Sequence, residues 1–396
     1  MAEPDANPRL GHAIDTSVGG ETVRAFVPPP LPPHPPIDTL ALLDRLSLAE
    51  RALGRLDGIT LLLPRPELFL YMYVRKEAVL SSQIEGTQST LSDLLRFESA
   101  AEDGHPIDEI REVSNYVDAL MYGLERLEAL PLSLRLIREM HKRLLQGGRG
   151  GTKDPGRFRR SQNWIGGTRP GNARFVPPPV AELDACLGAL ELFLHEDRSG
   201  LPALLKAGLI HVQFETIHPF LDGNGRIGRP LVTLYLCVQR VLHKPLLYLS
   251  LHLKTHRDEY YRLLQDVREH GAWEAWLAFF LDGVAETACQ AFDAATRIVD
   301  LFKHDRERIA AASTGVGSAL RVHELLRQTP YVTGNLLIAR TGLTAPTVNA
   351  ALAALERLGI VAEVTGRRRG RAFAYRRYLA ILSEGTDPLA LRDAPP

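Results

Sequence analysis

Along this chain apolar residues recur at intervals of three and four far more often than at intervals of two, which predicts a mainly helical protein. Leu204, Leu205, Leu209, Val212 and Phe214 share one face of a helix over 201–217. The same spacing predicts helices over 40–56, twice within 64–98, and over 106–129, 132–145, 230–241, 249–265 and 273–292. Residues 157–177 read as a hairpin, with Trp164, Ile165, Phe175 and Val176 flanking a tip rich in glycine and proline. Residues 28–36 are proline-dense and expected to be extended, and 147–151 form a glycine loop.

A distinct unit closes the chain. Helices are expected over 318–328, 334–341 and 345–358, followed by strands over 360–364 and 372–375 around the tip Gly366-Arg367-Arg368-Arg369-Gly370. This order resembles a winged helix-turn-helix. Residues 318–381 hold ten Arg against three Glu, a net +7, while the whole chain is formally neutral. Such a wing can grip DNA phosphates with an affinity that falls steeply in salt. Winged helices also dock proteins and prop up dimers, so DNA binding and a homodimer both stay open.

The densest chemistry lies in His218-Pro219-Phe220-Leu221-Asp222-Gly223-Asn224-Gly225-Arg226-Ile227-Gly228-Arg229. Glycines let backbone N–H groups converge on anionic oxygens, and a helix N-terminus adds its dipole. Two arginines can fork onto further phosphate oxygens, Asp222 can hold a magnesium ion that bridges them, and His218 stands beside them as a general base. Gly223, Gly225 and Gly228 also spell the dinucleotide-binding spacing, but that fingerprint needs a strand ahead of it, and here the glycines join two helices. His211 lies two helical turns earlier without a third ligand at zinc spacing, and reads as structural.

The run resembles the Fic family signature H-x-F-x-[DE]-G-N-G-R-x-x-R, without departure at any fixed position. The resemblance implies transfer of a nucleoside monophosphate, usually AMP from ATP with Mg2+, to a Ser, Thr or Tyr hydroxyl of a target protein, which can be the enzyme itself. Carried over by position, His218 deprotonates the hydroxyl and Asp222 binds the metal. Gly223, Asn224 and Gly225 cradle phosphates, Arg226 holds the β-phosphate region and Arg229 the γ-phosphate, with Ile227 and Gly228 counted in the same nucleotide-binding stretch.

Ser81, Glu85 and Gly86 fit the family's inhibitory motif [ST]-x-x-x-E-[GN], here N-terminal to the signature. A carboxylate there can pair with Arg229 and occupy the fork meant for the γ-phosphate. Upstream, Phe26-Val27-Pro28-Pro29-Pro30-Leu31-Pro32-Pro33 and the helix after it resemble the N-terminal module of many such proteins. The hairpin is similar to the family's flap, so Trp164, Ile165, Gly166 and Gly167 would register a target peptide by main-chain pairing. Tyr260 and Tyr261 stand where relatives place aromatics near the base, although paired tyrosines also serve as core. Other donors than ATP, removal of AMP by way of the inhibitory glutamate, and a DNA-binding regulator that senses nucleotide remain alternatives.

At 396 residues with 45% hydrophobic content, the chain exceeds one ordinary core. The expected division is an extended segment 1–36, an N-terminal helical module 37–125, a catalytic core 126–300, a linker 301–317, a winged helix 318–383 and a tail 384–396. Cys186, Cys237 and Cys289 are few, scattered and odd in number, so no disulfide framework is expected and a reducing cytoplasm is the expected compartment. Neither an export signal nor a membrane-spanning run stands out.

Overall fold

The structure, a computed structural model, describes residues 7–62, 66–98, 107–148, 150–196, 200–312, 315–368 and 370–389. Arg369 of the expected wing tip and residues 390–396 of the expected tail lie outside them. The first element departs from expectation. Within the segment read as extended, β1 (His12–Val18) and β2 (Glu21–Val27) form an antiparallel hairpin, with His12 opposite Val27 and Val18 opposite Glu21. Gly19 and Gly20 both have positive φ, and such Gly-Gly pairs make the tight turns whose twist suits a hairpin. Val23, Ala25 and Val27 alternate inward along β2.

Eleven helices follow: α1 (Leu43–Leu62), α2 (Pro66–Ile84), α3 (Leu91–Glu98), α4 (Ile107–Arg126), α5 (Leu134–Leu144), α6 (Val180–Leu194), α7 (Ala203–Ile217), α8 (Asn224–Val238), α9 (Ser250–Thr255), α10 (Arg257–His270) and α11 (Trp273–Ala310). Every residue of α7 from Leu204 to Ile217 is buried, so this helix is the axis on which α6, α8, α10 and α11 pack. The helix expected over 249–265 is divided at His256 into α9 and α10. No helix among the described residues is long and apolar enough to cross a membrane.

The closing unit consists of α12 (Val316–Gln328), β3 (Tyr331–Thr333), α13 (Gly334–Thr341), α14 (Ala345–Arg357), β4 (Ala362–Glu363), β5 (Ala372–Ala374) and α15 (Arg376–Ser383). Its sheet has the order β3-β5-β4, all antiparallel. The short β3 joins the two expected wing strands because Tyr331 and Val332 bury themselves against the helices. The fold is thus a helical core with a C-terminal winged helix.

Residues 301–310, read as linker, are the last turns of α11. They are helical because they are packed. Leu301, Phe302 and Ile309 are buried, and the Phe302 ring lies 4.9 Å from that of Tyr378 and 5.9 Å from that of Tyr375. Tyr375 Oη donates to Asp305 Oδ2 at 2.7 Å. Beyond α15 the chain turns back to α2, where Gln83 Nε2 donates to the carbonyls of Ser89 at 2.9 Å and Thr386 at 2.8 Å. Each apolar side chain on this seam is worth about 1.5–3 kcal/mol when fully buried. Deleting the chain from residue 316 onward is therefore expected to lower Tm by about 10 °C or more. Calorimetry of the truncated protein checks this, and an unchanged Tm would show that the seam contributes nothing.

Candidate active site

His218 caps α7 in a left-handed conformation, φ 49° and ψ 60°, which a non-glycine residue holds only when its surroundings fix it. Two side chains do so. Arg159, almost fully buried, donates Nε to the His218 carbonyl at 3.1 Å, and Asn163 Nδ2 donates to the carbonyls of His218 at 3.2 Å and Phe220 at 2.9 Å. Asn224 closes the loop from the other side: its Oδ1 accepts from the Phe220 N–H and its Nδ2 donates to the Phe220 carbonyl, both at 2.8 Å.

Below the loop, the Phe220 ring stacks on His141 with centroids 3.7 Å apart. His141 Nδ1 accepts from the Gly156 N–H at 2.9 Å, which leaves Nε2–H to donate to the Asp222 carbonyl at 3.0 Å. Burial pushes the His141 pKa down to about 4, so the ring stays neutral and keeps that tautomer.

Gly223, at φ 79°, is the N-cap of α8 and supplies no side chain to the first turn. The N–H groups of Asn224, Gly225 and Arg226 therefore lack intrahelical acceptors and face outward with the positive end of the helix dipole. A carboxylate already lies there. A Cβ on Gly225 would fall 2.3 Å from Glu85 Oε1, so the missing side chain is what lets Glu85 sit against the turn. Glu85 Oε1 accepts from Arg229 at 2.7 Å, while Arg229 also donates Nε to Ser81 Oγ at 2.8 Å and another N–H to the Ser81 carbonyl at 3.0 Å. Burial alone would raise the Glu85 pKa, yet the charge and hydrogen bond of Arg229 bring it below the ordinary carboxylate value. Gly86, at φ 99°, ends the segment and directs Glu85 across the gap.

Arg226 is engaged by carboxylates, 3.4 Å from Glu112 and 3.3 Å from Asp222. Asp222 Oδ1 accepts from the Gly223 N–H at 2.6 Å, and a Cβ on Gly150 would fall 2.5 Å from Oδ2. Asp222 keeps 32% of its side chain exposed, and a single carboxylate open to solvent suits Mg2+, which keeps several waters and takes few protein ligands.

Of these residues, Glu85, His218, Gly225 and Arg229 line a cleft of about 700 Å3 together with Trp164, Ile165, Gly166, Gly167, Glu215, Tyr260, Tyr261 and Arg268. The flap is slighter than a regular hairpin. One bridge joins Ile165 to Phe175, because a 3-10 turn at Pro170–Asn172 forms the tip and Pro177, Pro178 and Pro179 offer no N–H to extend the ladder. The early hairpin supports its far flank: the Phe26 N–H donates to the Val176 carbonyl at 2.9 Å and Glu21 pairs with Arg169 at 2.6 Å.

Of the expected nucleotide-binding residues, Gly225, Arg229, Tyr260 and Tyr261 line the cleft, whereas Gly223, Asn224, Arg226, Ile227 and Gly228 do not, nor does the expected metal ligand Asp222. Ile227 is fully buried in the core, and Gly228 is a packing glycine whose carbonyl lies 3.0 Å from His211 Nδ1. His211 Nε2 in turn meets Tyr260 Oη at 2.9 Å, so this histidine ties α7, α8 and α10 together. Tyr260 thus spends its hydroxyl on the core while its ring lines the cleft. Arg268, which sequence reasoning did not single out, lies with its guanidinium 3.9 Å from the centre of the Phe175 ring and donates to the Glu215 carbonyl at 3.1 Å. Burial and the neighbouring Arg268 push the His218 pKa down to about 4, which keeps it an unprotonated base at neutral pH.

A helical core in which a glycine-capped helix N-terminus has a histidine at its edge and the carboxylate that follows α2 seated against it, with a winged helix after it, defines a narrow class. Residues 43–125 match the Fic/DOC family N-terminal model, 131–236 the Fic/DOC family model, and 318–362 a winged helix-turn-helix DNA-binding model. The chain carries a Fic/DOC family domain with that family's N-terminal region ahead of it. It is similar to the protein adenylyltransferases Fic of Drosophila grimshawi and Drosophila virilis, 32% identical over 212 residues, and spans 40% of the length of each while 52% of this chain is covered. The fold is similar to that of a Fic family protein from Desulfovibrio desulfuricans, with TM-score 0.55 and 20% identity over 86% of this chain and 97% of that one. A Fic domain-containing protein from Bacteroides thetaiotaomicron gives TM-score 0.50 at 18% identity, covering 64% and 97%.

Proposed function

We propose that the protein is an autoinhibited adenylyltransferase that moves AMP from ATP to a hydroxyl of a protein. One observation carries this reading: His218 and the N-terminus of α8 share a wall of the cleft under the flap, so a base and an anion site face the same space. The acceptor oxygen bonds to the α-phosphorus, the bond from that phosphorus to pyrophosphate breaks, and the hydroxyl proton passes to His218. The N–H groups of the first turn of α8 hold phosphate oxygens, and Arg229, once released, grips the γ-phosphate. Magnesium at Asp222 would neutralise phosphate charge. The Trp164–Gly167 side of the flap offers backbone to an extended target segment.

Relatives named protein adenylyltransferase support the transfer, and the Glu85 carboxylate at the turn supports its inhibition. Incubating wild type and Glu85→Gly with labelled ATP, magnesium and lysate tests the reading. Covalent AMP on the enzyme or on a lysate protein is expected, and a complete lack of label with both proteins would reject it. The match to a DNA-binding winged helix and the arginine-rich wing favour DNA as a further partner. A duplex shift assay repeated at rising salt is expected to show an affinity that falls with salt.

A further inference from the structure

We propose that Glu215, three residues before His218 on α7, is a positioning residue that holds the His218 ring with its Nδ1 proton inward and balances the charge the ring gains on accepting the hydroxyl proton. The inference rests on the adenylyl-transfer reading above. Two acceptors of this one residue face the ring: the Glu215 carbonyl lies 3.4 Å from His218 Nδ1 and Glu215 Oε2 lies 4.0 Å from it. An Nδ1 aimed at a carbonyl and a carboxyl carries the proton. The lone pair then belongs to Nε2, the nitrogen left to take the acceptor's proton.

The carboxyl has no other employment that the described residues reveal. Glu215 is buried, and Oε1 meets no hydrogen-bond donor among the described residues. Leaving a buried carboxyl oxygen unmet costs stability, and such a group persists where it serves the site. The backbone is shaped to admit it: a Cβ on Gly228 would fall 2.3 Å from Oε1, so α8 comes close only because that residue is glycine. This gives Gly228 of the signature a task apart from phosphate.

The charged and titratable groups around Glu215 are His218 in the loop, Glu85 beyond α2, Arg229 on α8, and Tyr260 and Arg268 on α10. Burial dominates and pushes the Glu215 carboxyl up to about 7, with Glu85 adding to the rise and Arg229 and Arg268 opposing it. His218 moves the other way, to about 4. The resting pair is therefore an imidazole and a carboxyl that ionises near neutrality. A proton arriving at Nε2 turns the first into a cation beside the second, and the pair attracts most strongly when the transition state is reached.

The sign of the pH dependence follows. As pH falls through about 7, Glu215 takes up a proton, the carboxylate is lost and transfer slows. The test uses the full-length chain with Glu85→Gly as parent and compares it with Glu85→Gly combined with Glu215→Gln or Glu215→Asp, measuring kcat, ATP KM and kcat/KM from pH 5 to 9. Removing Glu85 also removes one carboxylate that raises Glu215, so the parent's acid limb is expected at or somewhat below 7.

Glu215→Gln keeps the shape and loses the charge. It is expected to lower kcat roughly 10- to 100-fold at pH 8, leave ATP KM within about twofold, and abolish the limb, since acid–base assistance as a whole contributes ~10²–10⁴. Glu215→Asp should keep the limb at reduced kcat. Unchanged kcat or a persisting limb in Glu215→Gln overturns the proposal, and so does a loss of ATP affinity parallel to the loss of kcat, which marks a merely structural role. An inactive parent would instead overturn the transfer reading, and the positioning role with it.

Discussion

His218→Ala, placed in the Glu85→Gly background, is expected to lose transfer by about 10²–10⁴, the range general-base assistance supplies. ATP affinity should change less than about threefold, because the proposed anion site is the first turn of α8 with Arg229, while the hydrogen bond given for the His218 ring goes to the Glu215 carbonyl. The loop should also survive the change. Arg159, Asn163 and Asn224 hold it through carbonyls and an N–H that alanine retains, and none of their bonds reaches the imidazole. Quantitative label incorporation and calorimetry with ATP separate the two effects. Residual transfer above about a tenth of the parent would assign the proton to another group, with Glu215 the first to examine.

Glu85→Gly is the second large expectation. Arg229 holds three bonds to α2 and the residues after it, two to Ser81 and one to Glu85, and its side chain is only 2% exposed. A bare pair of charges at ~4 Å with an effective dielectric of ~20 attracts by about 4 kcal/mol. The Glu85 side chain keeps 39% of its surface in solvent, so screening reduces the net restraint to about 1–2 kcal/mol. Activation is then expected at roughly 5- to 30-fold, since 1.4 kcal/mol is about tenfold. Glycine is tolerated there because α2 ends at Ile84, so no helical residue is lost.

The carboxylate also vacates the seat against Gly225, where a phosphate oxygen would lie. Glu85→Gly combined with Arg229→Ala should forfeit the gain, because the freed guanidinium is its agent. Initial rates of self-labelling for the wild type and both variants decide this. A Glu85→Gly protein no faster than wild type would remove inhibition by this segment, and an undiminished double variant would show that Glu85 restrains some other group.

Much of the site could be read before folding, because its chemistry is local. Gly223, Asn224 and Gly225 lie in one turn, and a turn of that composition before an apolar helix makes an anion site in almost any surrounding. His218 and Asp222 belong to the same twelve residues. The link from Glu85 to Arg229 was readable for a different reason. The two stand 144 residues apart, and only the likeness of both motifs to one family connected them; the 2.7 Å contact depends on how α2 packs against α8.

What periodicity alone determined was the helical class, the central apolar helix at 201–217 and the basic winged unit, since a helix or a wing announces itself within a dozen residues. It does not reveal β1 and β2, whose seven-residue strands are short and only half buried, although Gly19-Gly20 between them is a hairpin signal. It also ended α11 too early. Nothing local in 301–310 tells a packed helix from a linker, and that difference is made by Tyr375 and Tyr378 closing on Phe302.

Tertiary structure alone decided which side chains surround the His218 loop. Arg159, Asn163, His141 and Arg268 carry no motif, and each acts through a carbonyl or a ring that folding brings within reach. It also gave Gly228, expected only within the nucleotide-binding stretch, the place of the gap that admits Glu215. Sequence fixes which groups a turn can offer. Whether a buried carboxyl ends up beside a base or beside a phosphate is set by the approach of two helices, which depends on every contact in the core between them.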